Sequence, residues 1–307
     1  MRRNPPSSAG SAEARASAPH RSVVAGLLAI GLLGVAVPSA VAASATRAAT
    51  ATSSHTPNPP PGYQLVSAAF SAPSGTQTPG SVTCPTGTVV LGGGVAIAGD
   101  QLTADVGGSY PDSETQWEGL VNNVASASVT FTVSAECADQ SGDYSLVNTS
   151  PASVHAHGTG SVEATCPAGA YAVGGGGYSS GVSVNLDGII PLGPVSDLYA
   201  WALNANNVGN AAGTIVGVVV CGQVTRYHLA TVHETGILPD AQSSQIVKCP
   251  GSSVALDGGA ATFKRNVHTG LAVSAPGAGA APQEWQAVEN NNSGSDELTE
   301  AYAICGT

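Results

Sequence analysis

The 307-residue chain has few charged side chains and few of the residues that favour helices. Nine Lys and Arg residues stand against 20 Asp and Glu, which gives a formal net charge of −11, and there is a single Met. A surface of this sign repels phosphate backbones and anionic lipid, which argues against nucleic-acid and membrane-surface functions. The dominance of Gly, Val, Ser, Thr and Ala predicts an all-β fold.

The sequence also lacks the common motifs of catalysis and metal binding. It contains no Cys-x-x-Cys pair, no HExxH motif and no Asp-rich calcium loop. Four histidines fall in the first segments of two repeats described below, at His155, His157, His228 and His233. We interpret them as solvated strand residues. We therefore assign no catalytic, cofactor-binding or metal-ligating residue and expect no cofactor.

The N-terminal segment has the pattern of an export signal. Four arginines precede the apolar run 23–37, and the small residues "AVAA" follow it. This predicts a signal peptide over residues 1–42. Residues 43–62 are rich in Ala, Thr and Pro and predict a disordered linker. Because the apolar run is short for a membrane span, we expect a secreted, extracellular protein without a stable membrane anchor.

The remainder of the chain is one pattern written three times. Each copy begins with Tyr and continues through Cys-Pro, a glycine-rich stretch, Pro, Trp, an Asn pair and a strand that ends in Cys. The period is about 82 residues, and all three tryptophans of the chain fill the same slot. The sequence therefore predicts three similar β-units over residues 63–143, 144–226 and 227–307.

Alternation of apolar and polar residues marks strands within each unit. The segment "SVTFTVSAEC" alternates cleanly, with the cysteine on the apolar face, whereas "ELTEAYAIC" places its larger residues Leu298, Tyr302 and Ile304 opposite the cysteine. Two architectures fit three such units. In one, the units surround a pseudo-threefold axis, as in prism-like or trefoil-like proteins. In the other, they form three small sandwiches in tandem. The short connections between units favour the threefold body.

The six cysteines permit several disulfide pairings, but the repeat singles out one. Each unit holds two cysteines, 53, 55 or 56 residues apart. Pairing within units predicts the disulfides Cys84–Cys137, Cys166–Cys221 and Cys249–Cys305. Since all six follow the predicted signal peptide, they suit an oxidising compartment.

The glycines and tryptophans each allow a ligand-binding and a structural interpretation. No helical pattern or Lys-Ser/Thr partner follows the stretch "CPTGTVVLGGG", so we expect its glycines to shape a strand rather than cradle a phosphate. Trp117, Trp201 and Trp285 would serve either as core residues or, with the Asn pairs, as sugar-stacking residues. The apolar strand face that carries each tryptophan favours the core interpretation.

The motif "CPxGxxxxGGG", followed by Trp, Asn and a terminal cysteine strand, resembles a repeat found in secreted actinobacterial proteins. The resemblance covers Tyr63–Thr307. The third unit departs from it, with Ser253 near the turn and Asp257 in place of the first of the three glycines. The resemblance implies an extracellular setting and a β-fold, and it brings neither an activity nor functional residues.

We expect a non-enzymatic extracellular binding or structural module at the cell surface or matrix, with a glycan or a protein as partner. Three equivalent sites would add avidity to such binding. One alternative is a secreted hydrolase with a carboxylate pair in the loops of one unit. The most acidic candidate is the loop that carries Asp112, Glu114 and Glu118. Another alternative is a secreted inhibitor or protein-binding effector.

Overall fold

The computed structural model describes residues 55–194, 198–264 and 266–307, in which all regular structure is β-strand. The predicted signal peptide and residues 43–54 of the predicted linker lie outside the described residues. The predicted all-β fold is confirmed. Each repeat supplies six strand positions, and the first of these is divided into two short strands in the second repeat.

The strands of the first repeat are β1 (Gln64–Ala72), β2 (Thr76–Thr83), β3 (Thr88–Ile97), β4 (Ala104–Ser113), β5 (Gln116–Asn123) and β6 (Val129–Asp139). Those of the second are β7 (Ser145–Asn148), β8 (Ala152–Val154), β9 (Gly158–Thr165), β10 (Tyr171–Ser179), β11 (Val184–Leu192), β12 (Ala200–Asn207) and β13 (Gly213–Gly222). Those of the third are β14 (His228–Ile237), β15 (Ala241–Lys248), β16 (Val254–Thr262), β17 (Thr269–Pro276), β18 (Glu284–Asn291) and β19 (Glu297–Gly306).

Three antiparallel sheets form, and each is built by two repeats. Their strand orders are β1-β6-β3-β17-β18-β15, then β2-β5-β4-β10-β13-β7 with β8 also paired to β13, and finally β14-β19-β16-β11-β12-β9. Each repeat thus gives one half-sheet to each of two sheets and shares a sheet with both other repeats. The arrangement is cyclic and pseudo-threefold, and it is not a row of separate sandwiches.

The repeats meet where the third strand of one pairs with the fourth strand of another. These junctions are β3–β17, β10–β4 and β16–β11, and each is only one or two residue pairs long. The same six strands surround the pseudo-threefold axis. One face of each looks toward the axis and the other toward the core of its own repeat, so these strands are buried along most of their length.

The three glycines of the repeat motif face three different neighbours. A Cβ at Gly92 would lie 2.1 Å from a backbone oxygen of the third repeat, a Cβ at Gly93 would lie 2.5 Å from the Trp117 ring, and a Cβ at Gly94 would lie 2.1 Å from the carbonyl oxygen of Ser274. The glycines of the second repeat meet equivalent neighbours. The predicted role of the glycines, shaping the backbone, is confirmed. They let the strands approach at the axis, over the core and at the sheet junction.

The core of each repeat lies between its two half-sheets and centres on the tryptophan. Trp117, Trp201 and Trp285 are 0%, 1% and 0% exposed, respectively. The core interpretation is therefore correct, and the alternative of sugar stacking on these rings is wrong for this structure, since no face of the indole is accessible.

The disulfides join the two half-sheets of each repeat beside this core. Cys84 follows β2 in one sheet, whereas Cys137 belongs to β6 in another, and the two Cα atoms are 5.7 Å apart. The second and third repeats carry the equivalent bonds, Cys166–Cys221 and Cys249–Cys305. The predicted pairing within repeats is confirmed.

The last part of the predicted linker is packed, contrary to the expectation of disorder. Pro60 is buried, the Asn58 N–H donates to the Ser252 carbonyl at 2.8 Å, and the Asp139 N–H donates to the Pro61 carbonyl at 2.9 Å. Prolines fix φ, so a short proline run lies against a surface at little cost in conformational entropy. Residues 55–62 therefore belong to the folded body.

The last strand of the third repeat buries polar residues where the other repeats bury apolar ones. Because the disulfide fixes Cys305 inward, Glu297 and Thr299 share its face and are 1% exposed, whereas Leu298 is 37% exposed. Val129 and Phe131 hold the corresponding positions of the first repeat. The third repeat thus has a polar end to its core.

A pair of substitutions separates the hydrogen bond of the tryptophan from its packing. The Trp117 Nε1–H donates to Ser109 Oγ at 3.1 Å, whereas Ile189 holds the corresponding position in the second repeat and the buried Trp201 Nε1 has no partner. We expect Trp117→Phe to lower the free energy of unfolding by about 1–3 kcal/mol. Trp201→Phe should cost about 1 kcal/mol less, because no hydrogen bond is lost. Urea denaturation followed by circular dichroism measures both, and an equal or larger loss for Trp201→Phe would contradict this account.

Candidate functional site

One end of the pseudo-threefold axis opens into a pocket of about 220 Å³, to which all three repeats contribute. Its wall combines apolar residues near the mouth with polar residues at the floor. The lining residues are Leu102, Thr103, Asp105, Val124, Asn185, Val208, Val267, His268, Thr269 and Asn292. Two of the mouth residues, Val124 and Val208, are 59% and 37% exposed.

The second asparagine of each pair shapes the turn that reaches this mouth. Asn123 donates from Nδ2 to the carbonyls of Ala72 and Ala127 and accepts the Ala125 N–H at 2.9 Å on Oδ1. Asn207 and Asn291 hold equivalent turns in the other repeats. The sequence interpretation of the pair as a strand-ending turn is therefore correct for the second asparagine.

The residue after each asparagine pair is tied to the segment that precedes the fourth strand. The Val124 N–H donates to the Thr103 carbonyl at 3.0 Å, and the Val208 N–H donates to the Ser183 carbonyl at 3.0 Å. In the third repeat the Asn292 N–H donates to the His268 carbonyl at 2.8 Å. The mouth is thus fixed by the same backbone bond in each repeat, while its side chains differ.

The first asparagine of each pair does something that sequence reasoning missed, since it bonds to a different repeat. Asn122 Nδ2 donates to the Val184 carbonyl and to Asn185 Oδ1, both at 2.8 Å. Asn206 donates to the Thr269 carbonyl, and Asn290 Nδ2 donates to Asp105 Oδ1 at 2.8 Å. These bonds run cyclically round the axis and form the polar floor.

Asp105 is the one carboxylate at this floor. Its side chain is 6% exposed and accepts hydrogen bonds from Asn185 Nδ2 at 3.0 Å and from Asn290 Nδ2 at 2.8 Å. Burial raises the pKa of Asp105 to about 7, against the opposing effect of the Asn290 hydrogen bond. The equivalent positions hold Asn185 and Gly270, and a Cβ at Gly270 would lie 2.4 Å from Asp105 Oδ1.

A second buried acid, Asp187, lies behind the pocket wall. It accepts hydrogen bonds from the hydroxyls of Thr262 at 2.9 Å and Thr269 at 2.5 Å, and Thr269 also lines the pocket. Burial raises the pKa of Asp187 to about 7; the two hydroxyls oppose this, and the charges of Glu297 and Asp105 add to it. The pocket therefore has a second titratable acid behind its wall.

Farther from the pocket, Glu289 belongs to the polar core of the third repeat. It is 2% exposed, and neither of its carboxylate oxygens has a hydrogen-bond partner within 3.5 Å. Burial raises the pKa of Glu289, and the charge of Asp187 adds to that effect. Val121 and Ala205 hold the corresponding positions in the other repeats.

Two more buried acids, Asp257 and Glu136, lie away from the pocket and accept hydrogen bonds from neighbouring strands and residues. Asp257 stands where the other repeats have Gly92 and Gly174, and its carboxylate accepts the Gly175 N–H at 2.6 Å and the Gly258 N–H at 2.7 Å. Burial raises its pKa well above the ordinary value, although those N–H groups oppose the shift. Glu136 is fully buried, which raises its pKa to about 8, and it accepts a hydrogen bond from the Tyr63 hydroxyl.

The acids and histidines singled out from the sequence form no metal-binding cluster among the described residues. Asp112 is exposed near the end of β4, Glu114 is exposed in the β4–β5 turn, and Glu118 accepts a hydrogen bond from the Tyr110 hydroxyl at 2.6 Å. The four histidines named from the sequence are exposed. Among the described residues, no group of three His, Cys, Asp or Glu side chains is placed to hold a metal ion.

No protein-family model matches the chain, and no curated protein matches it. The resemblance of the repeat motif to secreted actinobacterial proteins therefore stays a prediction. In residues 55–194, 198–264 and 266–307 no helix is long and apolar enough to cross a membrane. The axial pocket is therefore the feature from which we propose a function.

The buried acids make stability depend on pH with a defined sign. An unfolded carboxyl titrates near pH 4, whereas Asp105 and Asp187 titrate at about 7 and Glu136 at about 8 when folded. The folded state therefore holds more protons, so this stabilisation is fully present below about pH 4 and is lost as the pH rises through 7 to 8. We expect the free energy of unfolding, measured in urea, to fall by several kcal/mol between about pH 4.5 and pH 8.5.

Matched variants assign this dependence to the buried groups. Asp105→Asn should reduce the difference between the free energies of unfolding at the two pH values. Asp112→Asn, at an exposed position, should leave that difference unchanged. Equal or greater stability at the higher pH in the parent protein would contradict the account.

Proposed function

We propose that the protein is a secreted, non-enzymatic binding module that takes a small ligand into the axial pocket. The setting is supported by the predicted signal peptide and by three intramolecular disulfides with no free cysteine among the described residues, which suit an oxidising, extracellular compartment. The ligand site is supported by the pocket itself.

The observation that carries the proposal is the departure from threefold symmetry at this one end of the axis. The backbone bonds of the mouth repeat in all three units, yet the floor positions hold Asp105, Asn185 and Gly270. An apolar mouth over a few convergent polar groups, one of them with a displaced pKa, is the usual composition of a small-molecule site. Packing alone does not require exposed valines around an acidic floor.

The pocket also limits the kind of ligand. Its volume of about 220 Å³ is below the range typical of drug-sized ligands, roughly 300–1,000 Å³. A glycan would have to enter through a single sugar ring or substituent, because the three tryptophans are buried. We therefore propose one axial site for a small molecule or a small terminal group, in place of the three equivalent sites expected from the sequence.

A fragment screen with pocket-filling variants tests this proposal. We expect protein-observed NMR of isotope-labelled residues 43–307 to find fragments that shift the amide signals of the pocket residues. Val124→Trp fills the mouth from an exposed position and should weaken their binding by about tenfold or more. Ile246→Trp makes the same change at a residue that is 49% exposed and outside the pocket lining, and it should have no effect.

A screen in which no fragment binds, or in which the bound fragments map elsewhere and are unaffected by Val124→Trp, would overturn the proposed function.

A further inference from the structure

We infer that the axial pocket is selective for small organic cations, in particular amines that place an N–H-bearing ammonium group on Asp105 and a short apolar body against the valines of the mouth. The inference rests on the proposed function and specifies the ligand class of the same site. It follows from the charge at the floor, the free acceptor capacity of Asp105 and the composition of the mouth.

The groups that surround Asp105 give the floor of the pocket a negative character. Its two hydrogen-bond donors are the neutral amides of Asn185 and Asn290, and no Lys or Arg is among the described residues that line the pocket. Asp187 lies behind the wall, and the charge of Asp105 contributes to the raised pKa of Asp187. Because the site is largely shielded from water, a charge there acts through a lower effective dielectric than at the surface. The pocket therefore favours a cation and repels an anion.

Asp105 also has acceptor capacity left over. An ionised carboxylate offers about four lone-pair sites on its two oxygens, whereas the amides of Asn185 and Asn290 occupy one site on each oxygen. The remaining sites suit the N–H donors of a primary or secondary ammonium group, and charge-assisted hydrogen bonds of this kind are the strongest that a small ligand makes. A neutral alcohol of equal size gains only the weaker, neutral-donor bond.

The mouth favours an organic cation over a metal ion. Leu102, Val124, Val208 and Val267 surround it and offer an aliphatic body an apolar contact. Hard metal ions take six or more oxygen ligands, often several carboxylates, whereas Asp105 is the one carboxylate among the described lining residues. No aromatic side chain is among the lining residues, so a cation–π cage for a quaternary ammonium is not what this pocket provides.

The inference carries a pH dependence of known sign. An ammonium ligand binds the ionised form of Asp105, whose pKa in the free protein is raised to about 7 by burial. Binding should therefore strengthen between about pH 6 and pH 8, with proton release on binding at the lower value. Within the part of the chain that the structure describes, two other titratable groups face this site, Asp187 behind it and the exposed His268 at the mouth. His268→Gln removes the second contribution.

Calorimetric titration with three probes of one shape tests the inference. The probes are n-butylammonium, n-butanol and butyrate, added to residues 43–307 at pH 6 and pH 8, with calcium chloride as a fourth titration. We expect n-butylammonium to bind at least about tenfold more tightly than n-butanol at pH 8, and butyrate not to bind. Asp105→Asn should remove that preference while leaving n-butanol binding within about threefold, and Asp112→Asn should change nothing.

A second variant keeps the test decisive if Asp105→Asn does not fold. Thr103→Lys adds a cation at an exposed position of the mouth, and it should weaken n-butylammonium and admit butyrate. Equal binding of n-butanol or butyrate and n-butylammonium would overturn the inference while leaving the proposed pocket intact. Tighter binding of calcium at the pocket would overturn it in favour of a metal site. Failure of all four probes would also overturn it, and the fragment screen would still decide the proposed function separately.

Discussion

The close approach of backbones round the pseudo-threefold axis is the constraint on which the rest of the structure depends. A Cβ at Gly94 would lie 2.1 Å from the Ser274 carbonyl, and a Cβ at Gly176 would lie 1.9 Å from the Ser109 carbonyl. Glycine at these positions lets the third strand of one repeat pair with the fourth strand of another. The neighbouring glycines admit the tryptophan of each core. Three sheets, three cores and one axis therefore follow from the same short motif.

The axis also determines where the repeats must differ. Equivalent residues approach one another there, so a carboxylate in all three copies would bring three charges together at a cost of several kcal/mol. Asp257 is accordingly matched by Gly92 and Gly174, and Asp105 by Asn185 and Gly270. Asp257 occupies space that Gly92 and Gly174 leave open, and Asp105 occupies space that Gly270 leaves open. The axial pocket gains a single acidic group in this way, which turns a symmetric scaffold into a site with one defined charge.

Much of the architecture could be predicted from the sequence because it depends on local composition, spacing and repetition. The strand content, the three units, the disulfide between Cys84 and Cys137 and the backbone role of the glycines all follow from composition, spacing and repetition. The short connections between units favour the threefold body over tandem sandwiches, but they do not indicate the junction of β3 with β17, which joins distant segments through only two residue pairs. Such a contact leaves no periodic signal.

The candidate site was missed for a related reason. Asp105 sits among apolar residues and glycines, and from one sequence an acid in a strand reads as a solvent-facing position, whereas the adjoining repeats bury it. A signal was nevertheless present at Asp257, which interrupts a glycine triplet in one copy only. Extending that comparison to every equivalent position would have pointed to Asp105 and Glu289. Packing at Pro60 and the inward face of Glu297 depend on tertiary contacts and disulfide geometry that spacing does not contain.

The central claim, that three repeats form one closed body through shared sheets, is tested most directly by scanning calorimetry of residues 43–307 with the disulfides intact. Because every repeat completes sheets of the other two, unfolding should be a single transition in which the ratio of calorimetric to van't Hoff enthalpy is about one. Three resolved transitions, or a ratio near three, would show that the repeats unfold independently and would contradict the claim.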